Sequence, residues 1–130
     1  MGNTQVRDIK ERTFEFALRV IKLVKLIPRD ETGRILIRQV IRSATSIGAN
    51  IEEAHAGLSR KDFTHSMNIA KKEAYETRYW IRLIAESGLM AQNKLTDLLQ
   101  ENNEIISILT STVKTLQMGK SDKEDIRYKI

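Results

Sequence analysis

Four helix-interrupting residues divide this chain into near-equal parts. Pro28, Gly57, Gly88 and Gly119 fall 29, 31 and 31 residues apart, and between them apolar residues recur every three or four positions, the period of one helical face. Proline cannot donate to a helix ladder, and glycine readily adopts the conformations that close a helix. Each segment has room for roughly 25 helical residues, about 37 Å at 1.5 Å per residue, and short turns make successive helices antiparallel neighbours. The spacing predicts an all-α, up-down-up-down antiparallel four-helix bundle over residues 1–119. A charged C-terminal tail at 120–130 follows, with Ile126, Tyr128 and Ile130 available to dock on a neighbour.

The faces of the helices can be read in turn. In the first segment Ile9, Thr13, Phe16, Val20, Leu23 and Ile27 form one row and Phe14, Ala17, Ile21 and Val24 a second. Together they are wider than one bundle seam requires, which predicts that this helix also meets another subunit. Pro28 should end it by pushing Ile27 out of the helical region, with Asp30 or Thr32 capping the next helix. In the second helix Ile37, Ile41, Ala44, Gly48, Ile51 and Leu58 share a stripe flanked by Val40, Ile47 and Ala54. Small residues around Ala44 and Gly48 predict a crowded crossing. Ser59 is placed to cap a third helix that starts near Arg60, whose core row is Phe63, Met67, Ala70, Ala74, Thr77, Ile81 and Ile84. The fourth helix carries Leu95, Leu98, Asn102, Ile105, Leu109, Val113 and Leu116, a seam whose single polar member can fix register.

Composition narrows the class of protein. At 130 residues the chain is one domain that buries about two thirds of its unfolded surface. It contains no cysteine, so disulfides and thiolate metal sites are excluded and packing must supply stability. The first residues do not read as a signal peptide, and no run of about 18 apolar residues suggests a membrane span, so the expected location is the cytoplasm. The net charge of +5 permits polyanion binding without demanding it. Its excess lies on the first and third segments: residues 1–29 hold seven basic and three acidic side chains and residues 59–88 six and four, whereas 30–58 and 89–118 each come to minus one.

Catalytic chemistry has little to stand on. Glu52-x-x-His55 and Asp62-x-x-His65 have or approach the i, i+3 spacing of di-iron helical bundles. They flank the Gly57 turn, however, instead of facing each other at mid-bundle, and Glu15, Glu101 and Glu104 lie outside the apolar rows. Arg60-x-x-x-x-His65 matches a loose arginine-to-histidine spacing found in helical ribonucleases of the HEPN class, but such a short pattern arises readily by chance. No phosphate loop, nucleophile elbow or zinc-protease helix is present. Neither catalytic residues nor a metal or other cofactor are expected.

Nucleic-acid binding has a firmer physical basis. Lys71, Tyr75, Arg78 and Arg82 fall on successive turns of the third helix, so cations alternate with a ring on which an unpaired base can stack. Arg12, Arg19 and Lys22 make a second basic row and Arg34, Arg38 and Arg42 a third. The predicted phosphate contacts are Arg12, Arg19, Lys71, Arg78 and Arg82, with Tyr75 as the stacking platform. The competing uses are ordinary solvation for the cations and a subunit interface for Tyr75, Tyr79 and Trp80.

The run Arg42-Ser-Ala-Thr-Ser-Ile-Gly-Ala-Asn-Ile-Glu-Glu-Ala54, followed by Ser59-Arg-Lys-Asp-Phe63 and Ile69-Ala-Lys-Lys-Glu-Ala-Tyr-Glu-Thr-Arg-Tyr-Trp80, resembles the bacterial four-helix-bundle proteins encoded in intervening sequences of 23S ribosomal RNA genes. The resemblance is most specific at Ser46-Ile47, Asn50-Ile51-Glu52 and Asp62-Phe63. That family is in turn similar to the accessory variability protein of diversity-generating retroelements. The likeness implies a barrel-like homopentamer with a basic surface, acting beside a reverse transcriptase and its RNA. Ala54 stands where many members have glycine, and Lys71-Lys72 where many have a Gly-Ser pair. The resemblance implies no catalytic residues. The combined expectation is a non-enzymatic homo-oligomer associated with RNA or DNA, or alternatively a scaffold that binds only protein.

Overall fold

In the computed structural model, which describes residues 8–119, each helix start has a local cause. Helix α1 spans Ile9–Val24 and begins where Asp8 accepts a hydrogen bond from the backbone N–H of Lys10, at 3.0 Å. Helix α2, Glu31–Ala56, begins where Asp30 accepts from Gly33 N–H at 2.8 Å. Helix α3, Arg60–Glu86, is capped by Ser59, whose hydroxyl accepts from Asp62 N–H at 3.0 Å. Each such cap satisfies one of the orphan donors of a first helical turn and is worth about 1 kcal/mol. Helix α4, Thr96–Met118, has no side-chain cap and is entered through a short 3-10 turn at Gln92–Lys94.

The glycines close the helices as expected, by two different geometries. Gly57 leaves α2 in an extended conformation, φ −71° and ψ 159°. Gly88 follows α3 at φ +83°, in the left-handed region that a side chain would resist.

Contacts run from α1 to α2, α2 to α3, α3 to α4 and α4 back to α1, so each helix touches two neighbours around a closed square and α1 lies diagonally across from α3. No strand occurs among the described residues. The result is an all-α four-helix bundle with the order read from the sequence.

The core rows of α3 and α4 are those predicted. Phe63, Met67, Ala70, Ala74, Thr77, Ile81 and Ile84 are buried on α3, and Leu98, Asn102, Ile105, Leu109, Val113 and Leu116 on α4, with Leu95 just before it. A fully buried Leu, Ile or Phe contributes about 1.5–3 kcal/mol, so this cluster is what holds the bundle. Its polar members find partners within it. Thr77 donates to the Ser43 hydroxyl across the α2–α3 seam at 2.8 Å, and Asn102 donates through Nδ2 to the Ala74 carbonyl at 3.1 Å, leaving its own Oδ1 unpartnered.

Three details differ from the sequence reading. Helix α1 ends at Val24, not against Pro28, because Leu26 and Ile27 donate to Leu23 and Val24 in tighter i to i−3 turns; Ile27 nevertheless stays buried. Leu58 does not continue the α2 stripe: the extended backbone at Gly57 turns it outward and it is 92% exposed. The second row of α1 divides, with Val24 buried, Ala17 and Ile21 half-buried and Phe14 exposed, and Leu18, in neither predicted row, is exposed beside them. These last four line an open groove of about 290 Å³ against Thr45, Gly48 and Ala49 of α2. The crowded crossing lies beneath it, where a Cβ on Gly48 would come 3.3 Å from Thr13 Oγ1. The charged tail at 120–130, with Ile126, Tyr128 and Ile130, lies outside the described residues.

Candidate nucleic-acid interface

The outward surface of α3 and its edge against α4 hold four of the six predicted contact residues. Lys71, Tyr75, Arg78 and Arg82 rise along this strip because α3 buries its Phe63-to-Ile84 row and turns the opposite side to solvent. The Arg78 guanidinium lies over the Tyr75 ring, 5.1 Å from its centroid, a cation–π arrangement. The same guanidinium donates to Asn103 Oδ1 of α4 at 3.1 Å, so one side chain bridges the two helices and holds the ring from one side. Tyr75 keeps 43% of its surface exposed. One turn on, exposed Arg82 meets Glu86 at 3.7 Å, a loose pair of the kind that contributes little on a surface.

Arg12 and Arg19 sit elsewhere. They belong to α1, on the other flank of α4: Arg12 lines a shallow groove with Gln100 and Asn103, so α4 stands between it and Arg78 and the six residues do not form one strip. Arg19 is exposed. Arg12 has a defined internal partner: it donates to Glu101 from Nε at 3.0 Å and from Nη2 at 2.8 Å, and to Glu104 at 2.8 Å. Its hydrogen bond to Glu101 raises its pKa above the ordinary arginine value, and the bond from Arg12 in turn lowers the pKa of Glu104. Arg12 is therefore the clasp of the α1–α4 seam. Arg42, of the third basic row, is engaged in the same way. It lies 3.5 Å from Glu73 and bonds Glu76, which also accepts from Trp80 Nε1 at 2.9 Å. Arg34 and Arg38 are exposed.

The histidines do not converge on a catalytic centre. His55 Nδ1 lies 2.9 Å from the Ile51 carbonyl and its ring meets Phe63 edge-on, while His65 is exposed. Among the described residues no three His, Cys, Asp or Glu side chains gather where a metal ion could be held. Arg60 and His65 do line one cleft of about 570 Å³ at the end of the bundle. There Arg60 donates to the Leu116 and Gly119 carbonyls, serving as the C-terminal cap of α4.

The family of 23S rRNA-intervening sequence proteins matches residues 6–111 of the chain. The chain belongs to this family. It is 37% identical to a protein of unknown function from the S23 ribosomal protein family of Bacteroides thetaiotaomicron, whose crystal structure superposes with a TM-score of 0.76 over 82% of this chain and 98% of that one. No curated protein matches it.

Most of the positions at which this family member's resemblance is most specific turn out to be architectural, Glu52 being exposed. Ile47, Ile51 and Phe63 are core residues, Asn50 donates to the Ser46 carbonyl and hydroxyl within α2, and Asp62 supplies the N–H that Ser59 caps. Those positions speak for the bundle; the resemblance also runs through Lys71, Tyr75 and Arg78, whose role rests on the chemistry of the α3–α4 edge. Sequence reasoning missed Asn103 on that edge, since its relation to Arg78 arises only from the α3–α4 packing. Among the described residues no helix is long and apolar enough to cross a membrane.

Proposed function

We propose that this family member is a non-catalytic, self-associating bundle that binds RNA through the outer face of α3. The observation that carries the reading is the Arg78–Tyr75 pair, 5.1 Å from guanidinium to ring centroid and anchored to α4 through Asn103. It places a cation beside a partly exposed aromatic ring, the combination that binds phosphate and base together. Lys71 and Arg82 extend positive charge one turn to either side. Self-association is supported by Phe14 and Leu18, 59% and 40% exposed on α1, on the side of the molecule away from α3. An interface there leaves the basic face open.

The test is binding to structured RNA and duplex DNA across a salt series, by the unmodified protein and by a Lys71→Glu/Arg78→Glu/Arg82→Glu variant. On duplex DNA each neutralised phosphate contributes a slope of about −0.9 in log affinity against log salt. The variant is expected to keep its helicity and assembly size while losing affinity and slope. Unchanged affinity sinks the assignment of this face. A second reading, a scaffold that binds only protein, draws on Ile35, Tyr79 and Leu83, which are 50%, 57% and 38% exposed on α2 and α3. It predicts salt-insensitive association and no polyanion binding.

A further inference from the structure

A basic helix face binds any polyanion, but the α3–α4 edge carries groups that phosphate does not need. Beside Arg78 and Tyr75 runs an open groove of about 420 Å³ whose lining includes Arg82, Leu95, Leu99, Gln100 and Asn103. Its floor is apolar, and its wall on α4 offers two side-chain amides: Gln100 donates through Nε2 to Glu104 at 3.4 Å, and its Oε1 takes no part in that bond. Asn103 uses its Oδ1 on Arg78, so its Nδ2 faces no competing demand from that bond. Arg82 and Glu86 stand exposed at the rim, 3.7 Å apart, and leave the floor between them and α4 to the apolar and amide groups. An apolar floor beside hydrogen-bonding amides suits a nucleobase in the groove, and the partly exposed Tyr75 ring, one turn beyond Arg78, suits the face of a neighbouring base.

Resting on the reading above, we infer that the α3–α4 edge is a subsite for unpaired bases, so that the protein selects single-stranded RNA over duplex. A base held in a duplex has both faces stacked and its pairing edge occupied, and can use neither Tyr75 nor the groove; duplex binding is left with the cations alone. The ring is already held by Arg78, which is itself tied to α4, so little side-chain freedom is lost when a base stacks on it. Phosphates of the bound strand fall to Lys71, Arg78 and Arg82.

The experiment compares affinities for short poly-U, poly-A and poly-C RNA, the matching DNA strands and an RNA duplex of equal length, at one salt concentration. The proteins are the unmodified chain, Tyr75→Leu, Tyr75→Phe and Gln100→Ala. Tyr75→Leu is expected to weaken single-strand binding roughly 5- to 150-fold, the range for loss of one stacked base. Duplex binding should stay within about twofold, and Tyr75→Phe should restore the single-strand affinity. Gln100→Ala should compress the differences among the three homopolymers, on RNA and on the matching DNA strands alike. Equal losses on single strand and duplex, or no loss on either, overturn the inference while the charge-reversal result still decides the broader reading. Binding of none of the polymers by the unmodified protein overturns both.

Discussion

Gly33→Ala separates what helix propensity predicts from what this packing predicts. Gly33 lies in the first turn of α2, where alanine ordinarily gains up to about 1 kcal/mol over glycine. Here a Cβ would sit 1.8 Å from the Pro28 carbonyl oxygen and 3.0 Å from its carbon. Both are backbone atoms, so no side-chain rotation relieves the clash, and the loop from Pro28 to Asp30 must move. Overpacking of this kind costs about 1–3 kcal/mol. The shift also separates Asp30 from the N–H it caps, a loss of about 1 kcal/mol. Against the propensity gain, the net is a destabilisation of about 1–3 kcal/mol, or about 4–12 °C in Tm at about 4 °C per kcal/mol for a chain of this size. Thermal and urea denaturation followed by far-UV circular dichroism measure it. Asp30→Ala should cost about 1 kcal/mol alone and much less in the Gly33→Ala background, because the cap is already lost. A Gly33→Ala protein as stable as the parent, or more so, would refute the close approach.

Two further perturbations probe the polar contacts of the interior. Asn102 is fully buried with Oδ1 unpartnered, so Asn102→Leu should leave stability in urea melts within about 1 kcal/mol of the parent, removal of the unsatisfied oxygen being offset by the lost bond to Ala74 and the added bulk. Glu104 has its folded-state pKa held below the ordinary carboxylate value by Arg12. Its contribution is thus present above the unfolded pKa, about 4.3, and is lost as pH falls through the lower folded value; Arg12→Met should flatten the acid limb of Tm against pH while leaving RNA affinity within about twofold, whereas a sharp drop in affinity would return Arg12 to the binding surface.

The bundle was legible because its punctuation and periodicity are local. Ser59, Asp30, Gly57 and Gly88 end or begin helices through groups within a few residues of themselves, and the α3 row from Phe63 to Ile84 repeats a period that tolerates no other face. What could not be read depends on distant partners. Arg12 and Arg78 look equivalent as members of basic rows, yet Arg12 meets carboxylates 89 and 92 positions away, and Arg78 an amide 25 away. Gly33 gave no sign of its role, since its constraint is a carbonyl across a loop. Leu58 shares the α2 stripe by spacing alone, and one extended residue at Gly57 was enough to turn it to solvent.

Trp80 is the only tryptophan of the chain. Its indole N–H is tied to Glu76, which also engages Arg42, and its ring meets Tyr79 edge-on at 5.1 Å. The protein thus carries one strong intrinsic fluorophore, stationed on the α2–α3 seam and facing away from the α3–α4 edge. Its emission should track the parting of those two helices during unfolding, and stay quiet while a ligand occupies the other side of α3.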